Sequence, residues 1–256
     1  MTVGECERFL YDTYPKANQC PWDNTGLLCG DPEKKVTKIL FALDVTDAVI
    51  DEAERVGAEL IVAHHPVIRG GLDRVTPNSD SRIWKMCQKG IAAICMHTNL
   101  DISDGGVGDT LAQVFKLKNA EKVFEVEENP SLLFGRVGEI EPMEPEAFCR
   151  YAAQVLKTPF VRAVAGNKPI RRVAVMGGSG RDYIEAAARV ADAYVTGDCR
   201  YHDFQLAERL GLTLIDAGHY PTENIIIPVL MEKMKAFDEV EQVLSSHQDV
   251  IKLYKE

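Results

Sequence analysis

Three short apolar runs, KILFALDV from Lys38 to Val45, IVAHHPVI from Ile61 to Ile68 and IAAICMHTNLD from Ile91 to Asp101, most narrowly limit what this chain can fold into. Each reads as a buried strand, and helical stretches with their own start and stop signals lie between them. The first has Thr46 as N-cap and Gly57 as stop, and the second spans about Ser79 to Lys89 with Gly90 as stop. A strand-helix-strand-helix-strand order predicts a largely parallel sheet covered by helices. In such sheets ligands sit beyond the carboxyl ends of the strands, and His64, His65 and His97 fall there.

The pattern recurs further along. From Arg172, RRVAVMGGSG reads as a strand and glycine turn, Asp182–Val190 as a helix and ADAYVTGD as a strand. Tyr201–Leu210 then reads as a helix, and Gly211–Ala217 as a strand that empties at His219. Two similar α/β lobes are therefore expected, each of three layers with a largely parallel sheet, over residues 1–128 and 129–256. The last helix and strand are free to pack back on the first lobe. Around these cores, Thr2 and Glu5 form a capping-box pattern for an opening helix that ends before Pro15. CPWDNTGLLCGDP from Cys20 reads as a loop and short strand, with Trp22 packed if the segment is only a surface turn. DISDGGVGDTLAQVF from Asp101 runs through a glycine-rich turn into a helix. Lys122–Ile140 reads as two strands about an Asn129-Pro130 turn, and Pro145–Leu156 as an amphipathic helix. A helix after Thr222 must accommodate Pro228 by a kink, and Val240–Tyr254 supplies one further strand and a polar end.

Composition narrows the function. A net charge of -10 disfavours a phosphate-coating surface, so nucleic acid is not an expected partner. No apolar run approaches the roughly 18 residues of a membrane span, and Glu5, Glu7, Arg8 and Asp12 interrupt any signal-peptide pattern. The 7 cysteines are an odd number without a CxxC pair, which argues against a zinc ribbon or a disulfide framework. Reduced thiols in the cytoplasm are expected.

The chemistry lies in the histidines. Two segments share a spacing in which a histidine is followed four residues later by a carboxylate: His97 with Asp101, and His219 with Glu223. His64, His65, Asp101, His219 and Glu223 all lie at or just past expected strand ends. Three imidazoles and two carboxylates exceed what one tetrahedral ion requires, and a carboxylate can bridge, so two divalent ions per chain are expected. Successive residues of an ideal strand point to opposite faces. His64 and His65, at the strand's end, are thus read as serving different ions. Nitrogen and oxygen donors without thiolate suit zinc, iron, manganese, cobalt or nickel. His97 is open between a ligand, an outer partner that orients a ligand, and a proton shuttle, with the non-ligand roles favoured. GGSG, Gly177–Gly180, fits either an anion-binding turn or an ordinary one. TGDCRYHD, Thr196–Asp203, offers residues for substrate or for orienting ligands, and His247 reads as a surface histidine.

WDNTGLL, AHHPVI, HTNLD with the following DGGVGDTLA, GGSG, TGD and DAGHYPTE occur in the order of a known family's motifs. On these residues the chain resembles the GTP cyclohydrolase I type 2 homologues, also called NGG-interacting-factor-three-like dinuclear metal proteins. The likeness covers nearly the whole chain, without the domain inserted in longer members and with a different ending beyond Val240. The resemblance implies two similar α/β lobes with a dinuclear site in the cleft between them, and assembly into a toroidal homohexamer. It also implies His64, His65, Asp101, His219 and Glu223 as ligands, Glu223 as the bridge, and His97 close by. The family name implies hydrolytic opening of the GTP imidazole ring, with release of formate and formation of a dihydroneopterin triphosphate. A metal-dependent hydrolase of a small nucleotide-like molecule, with His97 as proton relay, is the first expectation. A non-catalytic metal-binding or scaffold protein, with partners docked on the oligomer, is the second.

Overall fold

The computed structural model describes residues 1–252 and 254. The chain divides into two compact units, Met1–Leu100 with Ile227–Glu256, and Asp101–Ile226. In chain order the first unit holds α1 (Val3–Thr13), β1 (Gly26–Cys29), β2 (Lys38–Ala42), α2 (Asp47–Val56), β3 (Leu60–Ala63), α3 (Ser81–Lys89) and β4 (Ala92–Cys95). The chain leaves the first unit inside α4 (Thr98–Ile102). The capping box of α1 forms as expected: Glu5 N donates to Thr2 Oγ1 at 3.2 Å and Thr2 N to Glu5 Oε2 at 2.7 Å. Thr46 caps α2, whose chain leaves through Gly57, and α3 ends at Gly90. Its cap is Asp80, which accepts from Arg82 N and Ile83 N.

The second unit contains α5 (Val107–Val114), β5 (Lys118–Val126), β6 (Asn129–Met143), α6 (Pro145–Val155), β7 (Arg162–Val164) and β8 (Ile170–Ser179). It continues with α7 (Ile184–Val190), β9 (Ala193–Gly197), α8 (Tyr201–Leu210), β10 (Thr213–Asp216) and α9 (His219–Glu223). The chain then returns to the first unit as α10 (Ile227–Met234) and β11 (Glu241–Leu244). Strand order is β1-β4-β3-β2-β11 in the first sheet and β5-β6-β8-β9-β10-β7 in the second. β2, β3, β4 and β11 run parallel, as do β8, β9 and β10. β1 and the outer strands β5, β6 and β7 are antiparallel. Each unit is therefore a parallel α/β core, with an antiparallel strand at one edge of the first sheet (β1) and antiparallel strands at both edges of the second (β5 with β6, and β7), of which only β5 and β6 are joined by a hairpin.

The apolar runs are buried as their composition requires. Every residue of β3 and β4 is fully buried. At about 1.5–3 kcal/mol for each large aliphatic side chain removed from water, these strands bind the helices to the sheet more strongly than any surface ion pair does. The returning segment is held by polar contacts too. Glu52 accepts from Ser245 Oγ at 2.6 Å, Ser246 Oγ at 2.7 Å and Ser246 N at 3.1 Å.

Several elements differ from the pattern reading. A boundary at 128/129 would cut the β5–β6 hairpin, which pairs Phe124 with Phe134 and Val126 with Asn129. The turn lies at Glu127-Glu128, and Pro130 is the second residue of β6, where a strand tolerates it. Pro228 bends nothing: a 3-10 turn over Asn224–Ile226 places it in the first turn of α10, where a missing N–H costs little. The first three residues of GGSG, Gly177–Ser179, are the end of β8, and Gly180 caps the 3-10 turn that follows. Trp22 is 60% exposed, not packed. β7, three residues beginning with Arg162, is too short to carry a pattern to read. The expected tail strand is β11, and Leu253 of that tail lies outside the described residues. No helix among the described residues is long and apolar enough to cross a membrane.

An ion pair with a buried guanidinium ties β6 to α5 in the second unit. Arg136, on β6, is 2% exposed, and its Nε donates to Asp109 Oδ1 on α5. Burial alone would raise the Asp109 carboxyl, but the hydrogen bonds from Arg136 and Gly105 N outweigh it and hold the group below its ordinary value. Asp109→Ala should therefore cost about 3–5 kcal/mol in urea unfolding, at the lower end because Asp109 is partly exposed. A group with a lowered folded pKa stabilises above its unfolded value of about 4 and loses that contribution as the pH falls through the folded value. Wild-type stability should accordingly decline below about pH 4 more steeply than that of Asp109→Ala.

Candidate metal centre

β3 stops at Ala63, so His64 and His65 lie in the bend beyond it, no longer bound to alternate across a sheet. Their ring centroids are 5.0 Å apart. His97, just past β4, completes a group: its ring is 5.3 Å from His64 and 5.7 Å from His65. Each of the three offers a ring nitrogen within 4.8 Å of the others. His64 is fully buried and His97 nearly so.

What orients them is the same device repeated. His64 Nδ1 bonds to Met96 O at 2.7 Å, His65 Nδ1 to Asp44 Oδ1 at 2.7 Å and His97 Nδ1 to Asp23 Oδ1 at 2.8 Å. An oxygen acceptor requires the proton on Nδ1, which leaves the lone pair of the neutral ring on Nε2. Asp44 stands just beyond β2, the parallel neighbour of β3, so strand register brings the pair together. Asp23 belongs to the WDN loop, and its Oδ2 accepts from Thr98 N at 3.0 Å and Thr98 Oγ1 at 2.5 Å. Burial would raise the Asp23 carboxyl, but the bonds from His97 and Thr98 prevail and hold it well below the usual carboxylate range.

In the second unit, His219 opens α9 and Glu223 sits one turn on, so the i,i+4 spacing puts both on one face. His219 Nδ1 lies 2.7 Å from Asp198 Oδ2, and its Nε2 lies 2.9 Å from Glu223 Oε2. Asp198 follows β9, the parallel neighbour of β10, which repeats the Asp44–His65 relation. It has φ +57°, a left-handed conformation that Asp tolerates better than most residues and that recurs at functional sites. Asp101, on α4, and Glu223 offer carboxylate oxygens within 4.8 Å of one another. Asp216 holds the turn before α9 by accepting from Gly218 N at 2.9 Å and Cys199 N at 3.0 Å.

The glycines of GGSG serve this carboxylate rather than an anion. A Cβ on Gly178, which has φ +58°, would lie 2.1 Å from Glu223 Oε1. Gly178 N is taken by Thr222 Oγ1 at 3.0 Å and Gly180 N by Thr196 Oγ1 at 2.9 Å, so two of the amides an anion would need are spent. His202 is an exposed residue of α8 bonded to Gln205, and His247 is half-buried in the tail. Asp23 and Asp44 were missed as orienting groups; an aspartate directly beyond a parallel strand, next to one that ends in histidine, was the available signal.

The described groups can hold a metal ion. Histidine ligands characteristically present one nitrogen to the ion while a carboxylate or carbonyl holds the other, and four imidazoles here share that arrangement. His219 faces two carboxylates, one at each ring nitrogen, an arrangement that a second ring proton or a metal ion at Nε2 would satisfy.

The family model Duf34/NIF3 (NGG1p interacting factor 3) matches residues 1–250. The chain belongs to this family. It is 31% identical over 243 residues to a Clostridium perfringens protein named GTP cyclohydrolase 1 type 2 homolog, covering 92% of each chain. To a Nostoc protein of the same name it is 36% identical over 220 residues, covering 83% of this chain and 82% of that one. Among solved structures, a Staphylococcus aureus hypothetical protein superposes with a TM-score of 0.88 at 29% identity, over 99% of both chains. The Duf34/NIF3 fold and the α/β architecture read from the sequence are thus shared with solved relatives.

If Asp44 and Asp198 orient metal-binding rings, Asp44→Ala and Asp198→Ala should each weaken metal binding by about 10–100-fold in chelator competition, with little loss of secondary structure by circular dichroism. Gly178→Ala should do so too, by displacing Glu223.

Proposed function

We propose that this Duf34/NIF3 protein is a metal-dependent hydrolase of a small, nucleotide-like substrate, holding two divalent ions per chain and working as a cytoplasmic homohexamer. The observation that carries the metal chemistry is the set of imidazoles held through Nδ1 by oxygen acceptors. His64, His65, Asp101, His219 and Glu223 are the proposed ligands, with Glu223 as the bridge. Zinc, iron, manganese, cobalt and nickel all suit these donors. When bound, two such ions supply Lewis acidity and bring a water's pKa toward neutrality. The nucleotide-like substrate follows from the name of the relatives, GTP cyclohydrolase 1 type 2 homolog, and the hexamer from the family resemblance. The odd cysteine count without a CxxC pair supports a reducing compartment.

His97 is the proposed acid-base group. Asp23 fixes its Nδ1 proton, so its Nε2 can accept a proton from a water and return it to a leaving group. The rigidity of that pair matters, because a proton relay works only from a fixed orientation. Thr98, Asp23 and the Cys20 N bond to Thr98 Oγ1 at 2.9 Å provide it.

Elemental analysis of metal-saturated protein should return close to two ions per chain, and Glu223→Gln should lose at least one. His97→Ala should keep both ions, or bind them about 10–100-fold more weakly, and should lower turnover in a nucleotide panel by roughly two orders of magnitude. One ion or fewer in the wild type would overturn the dinuclear reading. Two ions without metal-dependent turnover would favour the scaffold role, and loss of an ion in His97→Ala would move His97 to the ligands.

A further inference from the structure

A cavity of about 330 Å3 opens in the first unit, and His65 and Asp44 form part of its wall. Its volume is in the range of small-molecule sites. Pro66, Val67, Ile68 and Leu72 give it an apolar side, and Arg69, Arg82 and Asp80 supply its other charges. Leu72 is 42% exposed, a large apolar side chain left open to whatever enters.

The charges are not balanced in the way their number suggests. Asp44 is committed to His65 Nδ1 at 2.7 Å. Asp80 accepts from Arg82 N at 3.0 Å, Arg82 Nε at 3.3 Å and Arg82 Nη2 at 3.1 Å, so both its oxygens are engaged. Arg82 Nη1 makes no hydrogen bond among the described residues, and Arg69 has neither an ion pair nor a side-chain hydrogen bond there. The donors left facing a ligand are thus guanidinium N–H groups, while the carboxylates are occupied. In a chain of net charge -10 this wall departs from the general acidic excess, with two guanidinium groups for two carboxylates and with Arg69 outside any ion pair among the described residues. Guanidinium groups match the paired oxygens of phosphate and carboxylate.

We propose that this cavity is the subsite for a phosphate or carboxylate group of a small molecule, with Arg69 as the principal contact, Arg82 as the second, and Ile68 and Leu72 against the molecule's apolar part. The identification of that molecule as the substrate rests on the hydrolase reading; the subsite itself does not. His65 on the same wall then sets how far from the anionic group the chemistry occurs, so Arg69 selects among substrates by the position of their charge.

Phenyl phosphate and benzoate serve as probes, because each carries one of the two anions on a small apolar ring. Their affinities are measured by isothermal titration on wild type, Arg69→Ala and Arg69→Ala/Arg82→Lys, with elemental analysis of the same samples. Arg69 is exposed, so its replacement leaves the fold intact. The expected result is about a tenfold or greater loss of affinity in Arg69→Ala, larger in the double variant, at unchanged metal content. The tighter-binding probe identifies the anion. Equal affinities in all three proteins, or no binding of either probe at millimolar concentration, would overturn the subsite. Arginine-dependent binding by a wild type that holds no ions would uphold the subsite and remove the hydrolase reading instead.

Discussion

The hydrogen bond between an imidazole Nδ1 and an oxygen acceptor is the constraint on which the rest of this site depends. It fixes the tautomer, leaves the lone pair of the neutral ring on Nε2 and sets the plane of the ring. Without it each histidine would be an adaptable polar side chain of uncertain protonation. With it, His64, His65 and His97 form a group whose nitrogens lie within 4.8 Å of one another, and His219 faces Glu223 in the same manner. The fold exists to keep those bonds in register.

Parallel pairing does this economically. β2 and β3 pair Ala42 with Ala63, so the residues that follow, Asp44 and His65, come off neighbouring strand ends together. β9 and β10 pair Thr196 with Asp216 and bring Asp198 to His219. Both are βαβ connections, and in both the donor of orientation precedes the histidine by one crossover. The buried strands carry the stability that lets the polar residues beyond them be placed for chemistry rather than packing. Where a carboxylate must lie close to backbone, at Glu223, the strand end opposite it is glycine. Where an aspartate must turn sharply, at Asp198, the backbone takes a left-handed conformation.

The same economy explains the loop that carries Trp22 and Asp23. Asp23 spends one carboxylate oxygen on His97 and the other on Thr98, so the loop is locked to the start of α4. Asn24 Nδ2 bonds to Ile68 O at 3.0 Å, tying the loop also to the segment after the two adjacent histidines. Three stretches distant in sequence thus share one hydrogen-bonded frame.

The sequence by itself determined the elements and where the chemistry lies. Apolar runs of strand length, Thr46 and Gly57 around a helix, and histidines directly after those runs are local signals, and local interactions decide them. Only the tertiary structure decided which acceptor holds which ring. Asp23 and His97 are 74 residues apart, and Asp44 and His65 are 21 apart, and no periodicity connects either pair. It also decided that Gly177–Ser179 are strand and clearance rather than a phosphate turn, because that depends on the Glu223 carboxylate arriving from α9. The antiparallel flank of β5, β6 and β7 belongs to the same class. Strand direction and partner choice are settled by which edges meet when the chain compacts, a property of long-range contacts that a local pattern does not contain.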